Sequence, residues 1–217
     1  VNAAERRADW WLFGGIYRPV YLTAKPRTQI EHIAVDARAD GTLHTDVYLK
    51  NISKGQQLEL SLISCDSQLP IGRQVCGLST EEKQILTTYW NNIRTWDPEH
   101  PNLYRLTMRL LSTTGDVVHE ITERIGFRTI EFRPEDGVYL NGTRLLVKGI
   151  NRHCFDPETG RTISRELSLK DALLIKQMNM NAVRSHYPPD THFLEACDSI
   201  GLLYLNELCG WQNSYST

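Results

Sequence analysis

The chain has 217 residues, 41% of them hydrophobic and 23% charged, proportions of an ordinary globular protein that leave little room for a disordered or fibrous one. The formal net charge is −2, and no run of Lys and Arg supplies the basic footprint that a nucleic-acid partner requires. No apolar stretch approaches the ~20 residues of a membrane-spanning helix, so no membrane partner is expected.

The first residues do not read as a native N-terminus. Trp10-Trp11-Leu12-Phe13 is an apolar cluster that opens onto Gly14-Gly15-Ile16-Tyr17-Arg18-Pro19, followed by an alternating strand to Leu22. Residues 1–24 are therefore expected to be the tail of a domain whose body lies upstream. Without a native start, a missing signal peptide says nothing firm about location, and a bacterial periplasm or cytoplasm both remain open.

Residues 25–132 are expected to form the next domain, and from Thr28 to Phe132 the dominant period is two. Leu43, Thr45, Val47 and Leu49 alternate with His44, Asp46, Tyr48 and Lys50; Leu58, Leu60 and Leu62 repeat the pattern, as do Tyr104, Leu106, Met108 and Leu110. Successive strand side chains point to opposite faces, so each run predicts a half-buried strand. Asp40-Gly41, Ser53-Lys54-Gly55 and Thr114-Gly115-Asp116 supply the turns between them. About seven short strands in ~100 residues is the pattern of an immunoglobulin-like β-sandwich.

After Phe132 the pattern changes. Leu145–Asn151 predicts a strand. Ser168-Leu169-Lys170-Asp171 resembles a capping box opening a helix to about Met178, and Asn181–His186 predicts a second strand. Asp190 precedes a helix with Phe193, Leu194, Cys197 and Ile200 on one face and Gly201 at its end; Leu202–Glu207 predicts a third strand. This alternation implies parallel pairing with crossover helices. Residues 133–217 are thus expected to form the N-terminal part of a (β/α)8 TIM barrel, truncated, since a barrel needs eight strands. A small complete α/β sheet is the alternative. The long polar connection from Arg152 to about Leu167 favours the barrel, whose functional loops follow its strands.

The five cysteines, Cys65, Cys76, Cys154, Cys197 and Cys209, form no C-x-x-C pair. An odd count at irregular spacing argues against a disulfide framework and a zinc site. Buried, reduced thiols are expected, with a Cys65–Cys76 bridge left open for an exported protein.

Four motifs in order carry a family resemblance. Asp136-Gly-Val-Tyr-Leu-Asn-Gly-Thr-Arg-Leu-Leu-Val-Lys-Gly-Ile-Asn-Arg-His153 resembles the opening of the catalytic barrel in glycoside hydrolase family 2, and Asn181-Ala-Val-Arg-Ser-His-Tyr-Pro188 resembles its second barrel strand. Phe13-Gly-Gly-Ile-Tyr-Arg18 is similar to the close of that family's sugar-binding jelly roll, and Trp96-Asp-Pro-Glu-His-Pro-Asn-Leu-Tyr104 to a signature of its sandwich. The resemblance implies a piece of a multidomain retaining β-glycosidase, β-galactosidase-like, that hydrolyses terminal β-linked sugars. A non-catalytic carbohydrate-binding or scaffold sandwich is the alternative, which the barrel-like strands disfavour.

In the family's β-galactosidases, the histidines at the positions of His153 and His186 line the sugar subsite. Strand ends of a barrel converge on one pocket, and histidines there can hydrogen-bond sugar hydroxyls. Arg184 is expected to orient a catalytic carboxylate, and Arg152 either to join the sugar contacts or to brace the loop. Trp211 stands near where some β-galactosidases carry a magnesium-binding glutamate, so no metal site is carried over. Trp211 is read as a sugar-stacking platform or a buried loop anchor.

Asn206-Glu207 resembles the acid/base pair of many retaining glycosidases, but it closes strand three rather than strand four, so both residues are expected to support the site from behind. The resemblance implies that no catalytic glutamate lies in this chain and that no cofactor is required, a divalent metal elsewhere in the parent being left open. The parent's partner is a carbohydrate. Exposed parallel edges also leave room for association between copies.

Overall fold

The computed structural model describes residues 15–207. In chain order its strands begin with β1 (Gln29–Ala37), β2 (Thr42–Lys50), β3 (Gln57–Ser64), β4 (Pro70–Gly77), β5 (Lys83–Tyr89), β6 (Tyr104–Leu111) and β7 (Val117–Ile125). There follow β8 (Ile130–Arg133), β9 (Gly137–Leu140), β10 (Thr143–Leu145), β11 (Gly149–Arg152), helix α1 (Arg165–Gln177), β12 (Ala182–Ser185), helix α2 (Thr191–Ile200) and β13 (Leu203–Asn206). Two compact units divide the described chain: one spans Thr23–Val147 with Asp198–Gly201, and the other holds residues 15–22, 148–197 and 202–207.

The larger unit is built on the alternation read from the sequence. Antiparallel sheets ordered β1-β2-β5 and β4-β3-β6-β7 turn their apolar faces inward. Leu43, Val47, Leu58, Leu60, Leu62, Leu106, Met108 and Leu110 are fully buried between them, with Phe127 and Trp90. At roughly 1.5–3 kcal/mol per buried large apolar side chain, this cluster is the main source of the unit's stability. On the outer face of β3, buried Glu59 is paired by Arg73 from β4 and by Arg109 from β6 at 3.2 Å, so its charge is not stranded. The expected turn at Asp40-Gly41 is present. Asp40 Oδ1 accepts from Thr42 N at 2.9 Å, and Gly41 takes φ +90°, where any side chain would also strike the Trp90 carbonyl oxygen.

Cys76 stands opposite Leu58 at one end of β3, whereas Cys65 follows the other end. Seven residues of extended chain put them about 20 Å apart, far beyond disulfide reach. Both are free, and burial pushes each thiol above its ordinary value.

The passage from the sandwich onward differs from expectation. The predicted strand Leu145–Asn151 is two strands: β10 ends at Leu145 and β11 starts at Gly149, with exposed Leu146 and Val147 between. Upstream, β8, β9 and β10 form an antiparallel meander not foreseen in the sequence reading. Its second turn is Asn141-Gly142, both at positive φ (51° and 78°), as a tight two-residue hairpin demands. Asn141 also fastens the meander to the sandwich, accepting from Thr129 N at 2.9 Å and donating to Trp96 O at 3.0 Å. The compact units part at Val147/Lys148.

In the smaller unit β11, β12 and β13 lie parallel in that order, with one crossover helix leading to β12 and another to β13, as the alternation predicted. Helix α1 starts earlier than expected: Ser164, not Ser168, is the N-cap, its hydroxyl accepting from Leu167 N at 3.1 Å. Helix α2 ends as read, with Gly201 at φ +83° and Leu202 N donating back to Cys197 O at 2.9 Å. Residues 15–28 contain no strand, so the expected strand to Leu22 is absent. The Trp10–Phe13 cluster lies outside the described residues.

Candidate active-site strand ends

Parallel register sets the site. Arg152 pairs with Ser185 and Ser185 with Asn206, so the next residue on each strand, His153, His186 and Glu207, emerges at one level beyond the C-terminal end of the sheet. Three chemically active side chains therefore meet because three short strands end together.

The rings of His153 and His186 are 5.4 Å apart. His186 Nδ1 lies 3.1 Å from both carboxylate oxygens of Glu207. An ionised carboxylate can only accept, so Nδ1 carries the proton that it donates there. Glu207 also receives a guanidinium N–H from Arg184, whose other terminal nitrogen donates to Asn151 Oδ1 at 3.2 Å. Side-chain exposure is 18% for Glu207 and 15% for His186, against 43% for Arg184. The carboxylate thus sits as the anchor beneath a more open arginine.

Of the residues singled out in the sequence, His153, His186, Arg184 and Glu207 are brought together. Arg152 is not among them. It is buried, donates from Nε to Asp171 Oδ2 on α1 at 2.8 Å, and stacks 4.1 Å over the Phe193 ring of α2. The reason is parity: Arg184 is in register with Asn151, so Arg152 leaves the other face of the sheet, toward the helices. Its place is the bracing one. Asn206, expected to support the site from behind, is exposed. Trp211 lies outside the described residues.

Sequence reasoning passed over Tyr187 and Arg161. The Tyr187 ring is 4.9 Å from that of His186 and 5.9 Å from that of His153, and the Arg161 guanidinium lies 4.2 Å over it. The adjacent Tyr-Pro was a usable signal for Tyr187, whereas nothing local marks Arg161. Among the described residues, no group of three or more His, Cys, Asp and Glu side chains is arranged to hold a metal ion.

Comparison with known proteins identifies the family. Residues 28–128 match the sequence model described as glycosyl hydrolases family 2, and residues 132–212 match that of the family's TIM barrel domain. The chain is 35% identical to β-galactosidase BgaC of Bifidobacterium adolescentis, over 92% of its own length and 20% of that protein's. It is 34% identical to a β-galactosidase of Thermoanaerobacter pseudethanolicus, covering 94% of itself and 28% of the relative. A putative β-glucuronidase of Formosa agariphila is also 34% identical, with 94% and 25% covered. Among solved structures, the apo structure of Bacteroides uniformis β-glucuronidase 3 superposes with a TM-score of 0.77 at 27% identity, over 92% of this chain and 25% of that one. The chain thus spans between a fifth and just over a quarter of the length of these relatives. With its immunoglobulin-like sandwich and the first strands of its barrel matched in the family's order, the chain belongs to glycosyl hydrolase family 2.

Proposed function

We propose that this chain supplies part of the sugar-binding pocket of a retaining β-glycosidase that removes terminal β-linked sugars, acting within a longer protein. The observation that carries this reading is the convergence of His153, His186 and Glu207 at one level beyond three parallel strands. Glu207 accepts from His186 Nδ1 and so fixes the orientation of the ring that serves the sugar. Arg184 uses two of its N–H groups on Glu207 and Asn151, and the remainder serve to orient a carboxylate of the reaction. Glu207 itself is a positioning residue: both its oxygens are occupied by His186 and Arg184. The two carboxyl groups of a retaining mechanism, about 5–5.5 Å apart, are then supplied by other parts of the protein. Trp211, four residues beyond Glu207 in sequence, is the proposed stacking platform for the sugar. The relatives carry names of both β-galactosidases and β-glucuronidases, so the sugar is a β-linked hexose or hexuronic acid.

The test is kinetic and calorimetric on the same preparations of the longer protein. His153→Ala and His186→Ala should each lower kcat/KM by about 2–4 kcal/mol of transition-state binding, roughly 30- to 1000-fold, with Tm nearly unchanged. Losses of activity that merely follow a falling Tm would make both histidines packing residues. The 217-residue chain alone should hydrolyse no aryl β-glycoside above buffer background. Turnover abolished by Glu207→Gln would instead make Glu207 catalytic.

A further inference from the structure

The loop that carries His186 is held from two sides by residues distant in sequence. At its near end Ser185 Oγ donates to Tyr187 O at 2.7 Å. Beyond that come Pro188 and Pro189, which have no N–H to give and lie in no regular element. At its far end Arg18 Nη1 donates to Asp190 Oδ1 at 2.7 Å while Nη2 donates to the Pro188 carbonyl. Asp190 is buried, so this ion pair is shielded on the acid side. Next to it the Arg161 guanidinium lies between two rings, 4.2 Å from the centre of Tyr187 and 4.6 Å from that of Tyr17. Tyr187 in turn touches both histidine rings.

We infer that Tyr17, Arg18 and Arg161 are positioning residues of the sugar subsite, clamping the Tyr187–Asp190 loop so that His186 and His153 keep their mutual geometry. The inference rests on the reading that these histidines bind the sugar. Its chemistry is that of a planar cation between two π faces beside a shielded, two-point arginine contact. The Arg18 contacts end on Pro188 and Asp190, and the Arg161 stack ends on Tyr187, all within the loop. Loss of the clamp leaves Ser185 holding the near end, so the unit still folds while the rings wander. An ångström of misplacement at a binding group is enough to cost turnover.

The experiment compares Arg161→Met, Tyr17→Leu, their double variant and Tyr17→Phe in the longer protein. Arg161→Met and Tyr17→Leu should each lower kcat/KM on an aryl β-glycoside by about 10- to 100-fold with Tm held. The double variant should be no worse than either, because both remove one stack, and Tyr17→Phe should retain activity because it keeps the ring. Diethyl pyrocarbonate labelling, read peptide by peptide by mass spectrometry, should modify His186 and His153 several-fold faster in Arg161→Met. Exposed His100 of the sandwich serves as the unaffected control. Unchanged labelling in a protein that hydrolyses the glycoside overturns the clamp and leaves the function reading standing. So do additive losses, losses that follow Tm, or faster labelling with kcat/KM unchanged. Faster labelling in a protein whose unmodified form hydrolyses no glycoside supports the clamp and sinks the function reading.

Discussion

Two arginines, Arg152 and Arg184, lie close together in the sheet and do opposite work. Arg184 stands on the face of Asn151 and reaches Glu207; Arg152 stands on the other and is enclosed by Asp171, Cys154 and Phe193. Their substitution should separate cleanly. Arg152→Met strands the Asp171 carboxylate against the helix. A fully buried pair broken this way costs about 3–5 kcal/mol, and Asp171 is 32% exposed, so a loss of roughly 2–3 kcal/mol is expected. Arg184→Met leaves stability within about 1 kcal/mol, because Arg184 is 43% exposed and Glu207 keeps its contact with His186, yet should depress kcat/KM in the longer protein. Denaturant melts and kinetics on both variants check this, and equal destabilisation would refute the division of roles. The placement of His153 and His186 was legible because their motifs fix them at strand ends. That of Arg152 was not, because a motif gives the residue and only the register gives the face. Arg161 was hidden for another reason: its partners, Tyr17 and Tyr187, lie far away in sequence on either side.

Elements read from a strong period survived, and those read from one local signal shifted. The strands of the sandwich follow from uninterrupted alternation, as in β2, where every second residue from Leu43 to Leu49 is buried. The meander of β8 to β10 was missed because its strands have three or four residues, too few to show a period, although Asn141-Gly142 announced a hairpin. Helix α1 began one turn early because two serines compete there. Ser164 is followed by Glu166 in the first turn, where the helix dipole favours an acid. Ser168 is fully buried, and its hydroxyl has no hydrogen-bond partner among the described residues. Ser164→Ala should therefore cost about 1 kcal/mol, whereas Ser168→Ala should be neutral or slightly stabilising, since it removes an unsatisfied buried polar group. Chemical denaturation of the two variants decides between the caps. A larger loss at Ser168 would restore the cap to the position read from the sequence.

Across the molecule, the two compact units differ in how completely their own residues cover their apolar surface. The sandwich encloses its inner faces between two full sheets, and its largest buried side chains show no exposure that matters, as with Leu58, Leu106 and Phe127 at 0%. The parallel unit has three strands of four residues. Among the described residues its outer strands β11 and β13 each pair on one side only. Helix α1 shows Leu169, Leu173 and Leu174 more than 40% exposed, and Leu205 of β13 is 48% exposed. Open parallel edges and bare leucines favour local opening or association. In dilute solution the 217-residue chain should therefore open in the parallel unit well below the free energy that unfolds the sandwich. Native-state hydrogen exchange measures this directly. The amides of Val183 and Leu203 should exchange at least about tenfold faster than those of Val47 and Leu106, a gap of about 1.4 kcal/mol or more in opening free energy. The protection of Val183 should rise with protein concentration if copies pair through the bare surface. Equal protection at all four positions, in a chain shown to be monomeric by sedimentation, would mean that three strands and two helices close a core sufficient for themselves.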